Sequence, residues 1–293
     1  MIGNIFVRIL NKIQVLQYFN FVFSVTINKT SFKIPVIRTL GKDNLQISEI
    51  WMCHLLQKLL KIKKGSFLDV GMNVGQTLIK LKSVDANLNY FGFEPNPVCI
   101  FYVQQLIKVN KFENTTLYPV GIAERTQLLE LNFFTNSSTD SSASVLPDFR
   151  PFLKILHREI IPCFQYRDIN QDRLQDISIV KIDVEGAELE VLKGLKSLLQ
   201  AQRPFIVIEI LPVYKKENVN RLERQFEIEK LIIALDYSLL RINKTSDNHF
   251  EHLEFIDTIG IHAQIEWSDY LFCPSEFLDA VLPLASTDTS RIK

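Results

Sequence analysis

Gly65-Ser-Phe-Leu-Asp-Val-Gly-Met-Asn-Val-Gly-Gln-Thr77 decides the fold, together with Tyr90-Phe-Gly-Phe-Glu-Pro95, whose Glu94 follows Gly71 by 23 residues. Phe67 to Val70 reads as a buried strand, Gly71 to Gly75 as a turn, Gln76 to Leu81 as a helix and Asn89 to Phe93 as a second strand. Together they make one βαβ unit of ordinary length. A carboxylate at the tip of the second strand is placed to hold ribose hydroxyls, the layout of a nucleoside-cofactor site. The turn is GxxxG, with Asn73 where a dinucleotide fold carries the glycine that lets backbone approach a pyrophosphate. The pattern therefore favours a nucleoside cofactor without phosphate, S-adenosylmethionine, with acids at Asp69 and Glu94.

Composition allows this and narrows the alternatives. The 293 residues are 47% hydrophobic and carry 33 basic and 33 acidic side chains, enough for a sizeable core and balanced in charge. Bulk nucleic acid as a partner is disfavoured by that balance. The four cysteines, Cys53, Cys99, Cys163 and Cys273, lie far apart with no CxxC pair and read as reduced core residues. Near the N-terminus, Arg8, Lys12, Gln14, Gln17 and Asn20 interrupt every apolar run, so no stable membrane insertion is expected and the location reads as cytoplasmic. Ile2, Ile5, Phe6, Ile9, Ile13 and Leu16 recur at helical spacing, which predicts a helix laid on the domain with its apolar face inward. Attachment to a membrane surface is the alternative for that face.

Phe21 to Ile27 and Ser31 to Ile37 read as a hairpin, and Ser48 to Lys64 as a helix capped by Ser48 and stopped by Gly65. Beyond Glu94 helices and apolar strands alternate: Pro97 to Val109 helical, Thr116 to Gly121 strand, Leu128 to Phe134 strand, Ser178 to Asp183 strand, Ala187 to Leu199 helix, Phe205 to Leu211 strand and Arg221 to Leu235 helix. Strands at Tyr237 to Ile242 and Tyr270 to Cys273 complete the pattern. Strands apolar on both faces and separated by helices predict an α/β fold with a mostly parallel sheet covered on both sides. Residues 1–47 are expected to form an N-terminal extension of helix and hairpin, and residues 48–293 the main domain. Thr135 to Ser144 is small and polar, a loop that either connects or covers substrate; Ser141 and Ser142 are its candidate substrate contacts.

Ile179-Val-Lys-Ile-Asp-Val-Glu-Gly-Ala-Glu188 is the second decisive stretch. Ligands of open parallel sheets bind outside the carboxyl ends of the strands, which brings Asp183, Glu185 and Glu209 to the crevice that holds Asp69 and Glu94. Methyl transfer to a hydroxyl needs a base, and Asp183 or Glu185 is placed for it. Glu185 alternatively serves only as a helix N-terminal acid. His157, which follows the polar loop, is a second-rank base candidate. No ligand set for a metal can be counted.

These pieces resemble the FkbM family of S-adenosylmethionine-dependent methyltransferases over about Ile50 to Leu211. The resemblance is carried by Phe67 to Gly75, Phe93-Glu-Pro-Asn-Pro97, Thr116-Leu-Tyr-Pro-Val-Gly121, Val180 to Gly194 and Arg203-Pro-Phe-Ile-Val-Ile-Glu209. It implies a Rossmann-like class I methyltransferase fold, a seven-stranded sheet whose last strand is antiparallel, and O-methylation of a sugar, glycan or natural-product hydroxyl. It implies cofactor contacts by the Gly71 to Gly75 turn, Met72 and Asn73 included, and by Glu94; with Asp69 from the turn's own pattern, Pro95, Asn96 and Gly121 complete the candidate cofactor side. Met72 stands where the family usually has alanine, and its larger side chain is expected to narrow the mouth of the turn. The rival readings are a nucleic-acid methyltransferase, which lacks support because Asp183-Val-Glu-Gly186 stands in place of an Asn/Asp-Pro-Pro-Tyr/Phe motif, and a cofactor-binding interaction protein without catalysis. Acceptor identity and oligomeric state are left open by the sequence.

Overall fold

The computed structural model describes residues 2–150, 152–169, 172 and 174–285. Helix α1 (Ile2–Lys12) leads into a hairpin of β1 (Asn20–Ile27) and β2 (Thr30–Ile37). The hairpin closes through Asn28 and Lys29 at φ of 46° and 65°, left-handed values that suit the twist of a two-residue turn. There follow α2 (Ile50–Ile62), β3 (Ser66–Val70), α3 (Gln76–Val84), β4 (Tyr90–Phe93), α4 (Pro97–Asn110) and β5 (Thr115–Tyr118). A detour through β6 (Gly121–Ile122), β7 (Gln127–Phe133) and β8 (His157–Phe164) precedes β9 (Ile177–Ile182), α5 (Glu188–Gly194), α6 (Lys196–Gln202) and β10 (Phe205–Glu209). The chain closes with α7 (Val219–Ala234), β11 (Tyr237–Lys244), β12 (Phe250–Phe255), β13 (Asp269–Pro274) and α8 (Leu278–Val281).

The main sheet runs β12-β11-β13-β10-β9-β3-β4-β5. Pairing is parallel from β10 through β9, β3 and β4 to β5, and antiparallel among β10, β13, β11 and β12. Its eight strands exceed the expected seven because β12 adds an antiparallel edge. β3 and β9 are neighbours at its centre, and Ile179 and Val207 are buried. A strand buried on both faces is mostly apolar, and every residue of β9 is buried, its Ser178 and Lys181 among them. Truncating one such side chain, as in Ile179→Ala, costs about 2–5 kcal/mol.

Three local departures have physical causes. Residues Thr116 to Gly121 do not form one strand: β5 ends at Tyr118, and Gly121 opens β6 in a separate three-stranded sheet with β8 and β7. The helix expected over Ala187 to Leu199 breaks after Gly194, where a Cβ would lie 2.3 Å from the Ala123 carbonyl oxygen. Ser48 does not cap α2; the N-cap is Glu49, in a left-handed conformation, and the Ser48 hydroxyl donates to Gln76 Oε1.

The N-terminal helix corrects an expectation in part: Leu16, just beyond it, is buried as its spacing predicts. Of α1, Val7 is buried, whereas Ile5, Phe6 and Ile9 and the following Ile13 face outward. The hairpin supplies most of the packing, with Phe32, Ile34 and Val36 joining Val7, Leu16, Leu106 on α4 and Ile79 on α3 in one core.

Candidate functional site

Neighbours β3 and β9 lead away in opposite directions, β3 through α3 to β4 and β9 through α5 and α6 to β10. Their carboxyl ends therefore mark the topological switch point. The two ends touch: the Asp183 amide donates to the Val70 carbonyl at 3.0 Å, and a Cβ on Gly71 would stand 1.9 Å from the Asp183 carbonyl oxygen. Only glycine fits there, at φ 85°. Above this junction opens a cavity of about 460 Å³.

Glu94 ends β4 at the wall of this cavity, and both of its oxygens are held by backbone. Oε2 accepts from the Asn73 N–H at 3.0 Å and Oε1 from the Asn96 N–H at 2.9 Å. Asn73 makes this geometry by adopting φ 46°, a value asparagine tolerates better than most residues. The Asn96 side chain caps α4 through the Val98 N–H and donates to the Ser138 carbonyl, tying the polar loop to the cofactor side. Burial, against the help of the two amides, raises the Glu94 pKa to about 7. A fixed, desolvated carboxylate suits a pair of ribose hydroxyls, which donate without adding charge.

Gly71, Asn73, Glu94, Pro95, Asn96 and Gly121 line the cavity. Asp69, Met72 and Gly75 do not. Asp69 lies wholly inside the sheet, where it accepts from the Tyr90 hydroxyl at 2.7 Å and faces Lys181 at 3.8 Å. Met72 turns into the core with its sulfur against Gly92, so it does not narrow the mouth of the turn. Gly75 begins α3 at φ 75° and packs on Val103 and Leu106.

Across the cavity Asp183, Glu185 and Glu209 converge. Asp183 Oδ2 accepts from Lys181 Nζ at 2.9 Å. The two residues are two apart on one strand and share a face. Lys181 also registers with Asp69 on β3, and flanking carboxylates hold its pKa above the ordinary lysine value despite burial. Glu185 Oε2 meets Arg150 Nη2 at 2.5 Å. Glu209 has no such cation; desolvation and the charges of Asp183 and Asp269 push its pKa to about 9, so it carries a proton at neutral pH. Among the described residues no group of three or more His, Cys, Asp or Glu side chains is arranged to hold a metal ion.

The polar loop folds over this acidic side. Asp140 organises it by accepting the N–H groups of Phe134, Thr135 and Ser142. Ser141 lines the cavity, whereas the Ser142 hydroxyl is turned to Asp140 at 2.6 Å. Ser144 donates to the Glu185 carbonyl, and the Phe149 ring sits where a Cβ on Gly186 would be. His157 is not brought to the cavity: on β8 its half-exposed ring stacks on Phe133 at 4.2 Å.

Sequence reasoning missed Lys181, Arg150 and the pair of buried Lys80 with part-exposed Glu49 at 2.5 Å. Lys181 had a signal, a lone lysine in an apolar strand two residues before an acid. Arg150 had none, because its partner is set by how a long loop closes.

A mostly parallel α/β sheet with a glycine turn at its switch point and a buried carboxylate at the end of the adjoining strand fits the Rossmann-like methyltransferase class. The chain belongs to the FkbM methyltransferase family, whose domain model, the methyltransferase FkbM domain, matches residues 69–255. It is similar to the hexuronic acid methyltransferase AglP of Haloferax volcanii, 25% identical over 169 residues that make 57% of this chain and 65% of that protein. It is also similar to the crystal structure of methyltransferase FkbM from Methylobacillus flagellatus KT, at 18% identity and a TM-score of 0.44 over 71% of this chain and 43% of that one. Fibrillarin from Aeropyrum pernix, solved with natively bound S-adenosylmethionine, is 12% identical with a TM-score of 0.38 over 76% of this chain and 75% of that one.

Proposed function

We propose that this chain transfers a methyl group from S-adenosylmethionine to a hydroxyl of a sugar or similar small acceptor. The observation that carries the reading is Glu94, a buried carboxylate fixed by two backbone amides at the rim of a GxxxG turn. S-Adenosylmethionine supplies an electrophilic methyl group when bound. Glu94 would hold the ribose hydroxyls, with Asn73, Pro95, Asn96 and Gly121 shaping that side of the cavity. The relative named as a hexuronic acid methyltransferase supports a sugar-type acceptor.

Facing the cofactor side, Asp183 is the residue we assign to the acceptor proton. It lines the cavity, its side chain is about one-third exposed, and Lys181 fixes its orientation from below. Glu185, turned onto Arg150, would hold the acceptor and the loop over it, and neutral Glu209 would donate a hydrogen bond. The loop from Thr135 to Arg150 limits water at that end, which strengthens each polar contact.

Calorimetry with S-adenosylmethionine and turnover with a methyl-labelled cofactor against a panel of sugars and uronic acids test the reading. Asp183→Asn is expected to bind cofactor normally and to lose about 100-fold or more in turnover, the usual cost of a missing general base. Tight binding of a dinucleotide with none of S-adenosylmethionine overturns the cofactor assignment. Wild-type turnover in Asp183→Asn overturns the base.

A further inference from the structure

We infer that the N-terminal helix and hairpin form a docking surface for the face of an anionic lipid bilayer. The surface is apolar where α1 and the hairpin meet: Ile5 is 60% exposed, Ile9 55%, Ile13 59% and Phe19 49%, with Phe6 beside them. These residues form one patch rather than scattered exposures, because Phe6 and Phe19 both pack on the Phe21 ring, at 5.5 and 6.1 Å. On the helix, Ile5, Ile9 and Phe6 span an outward stripe, Val7 marks the inward side, and Arg8 and Lys12 flank the stripe. That is the division of an interfacial helix, apolar stripe outward with cations along its border.

Charge names the occupant. The first 42 residues hold six of the chain's 33 basic side chains and none of its 33 acidic ones, so the otherwise balanced molecule is polarised. Arg8, Lys12, Lys29, Lys33 and Arg38 are exposed, and none forms an ion pair with a described carboxylate. An apolar patch bordered by Arg8 and Lys12, on a segment whose side-chain charge is wholly positive, complements lipid headgroups of negative charge over an apolar interior. Docking is peripheral: α1 is 11 residues long, and no described helix is long and apolar enough to cross a membrane.

The test is co-flotation of the full chain with vesicles of phosphatidylcholine alone or of phosphatidylcholine and phosphatidylglycerol in equal parts, independent of cofactor or turnover. Binding is expected to the anionic vesicles, to weaken with salt, and to fall about tenfold or more in Lys12→Glu/Lys29→Glu and in Ile5→Asp/Ile9→Asp. All substituted side chains are exposed, and circular dichroism checks that each variant folds. Absence of binding to anionic vesicles, or equal binding by both variants, overturns the inference. So does light scattering that finds a dimer which Ile5→Asp/Ile9→Asp separates while vesicles bind nothing; the face would then cover a second copy of this chain.

Discussion

On the proposed reading, Glu94 couples cofactor binding to pH. Its carboxyl titrates near 7 in the unliganded cavity because burial outweighs the two amide hydrogen bonds. Ribose hydroxyls donate better to the ionised form, so cofactor affinity should rise with pH through 7 and level off above it. Between pH 6 and pH 8 the expected gain is about tenfold, measured by calorimetry. Glu94→Gln should lose at least about tenfold in affinity, since a hydrogen bond to a charged group contributes ~1.5–3 kcal/mol. It should also lose the pH dependence. The amide cannot replace the carboxylate in the unliganded protein either, because its NH₂ would face one of the two N–H groups that Glu94 now accepts. A pH dependence that persists in Glu94→Gln would move the titrating group elsewhere in the cavity.

At the scale of elements, the junction of β3 and β9 is the least forgiving place in the chain. Gly71→Ala sets a Cβ 1.9 Å from the Asp183 carbonyl oxygen at a positive φ, so the two strand ends must part. The expected cost is about 2 kcal/mol or more, read from the urea midpoint. Gly75→Ala also sits at positive φ, but its Cβ meets only methyl groups at 3.2 Å, and the expected loss is about half as large. Equal midpoints for the two variants would count against the strand contact as the cause. Much of this junction was legible in the sequence, since the apolar runs of β3, β4, β9 and β10 have one solution as buried parallel strands. The acids Glu94 and Asp183 fell at strand tips by the same reading. What escaped was decided by long-range closure. Gly121 and Leu128 to Phe133 read as strands of the main sheet, yet pairing with β8 draws them into a second one. The stripe on α1 has the same period facing in or out, and its direction depends on the hairpin having already filled the core beneath it.

The whole molecule stores protons that an unfolded chain would release. Burial raises Asp269 to about 6, Glu94 and Glu188 to about 7 and Glu209 to about 9, all above the usual carboxylate range. For an acid raised on folding, the penalty begins near its unfolded pKa, grows with pH, and levels off above the folded value. His262, lowered by burial, works in the opposite sense around its ordinary value, one group against four. Asp140 and Glu49 are lowered, so their effects lie at more acidic pH and outside the window. Net stability of the unliganded protein should therefore fall from pH 6 to pH 8. Calorimetric melts should show a lower Tm at pH 8 than at pH 6. Saturating S-adenosylmethionine should reverse part of this, because tenfold tighter binding at pH 8 adds about 1.4 kcal/mol to the folded state. The cofactor-induced rise in Tm should thus be larger at pH 8 than at pH 6 in the wild type and equal at the two in Glu94→Gln. An unliganded Tm that climbs from pH 6 to pH 8 would show that the buried carboxyls are already ionised, and with them Glu209 would lose its role as a hydrogen-bond donor to the acceptor.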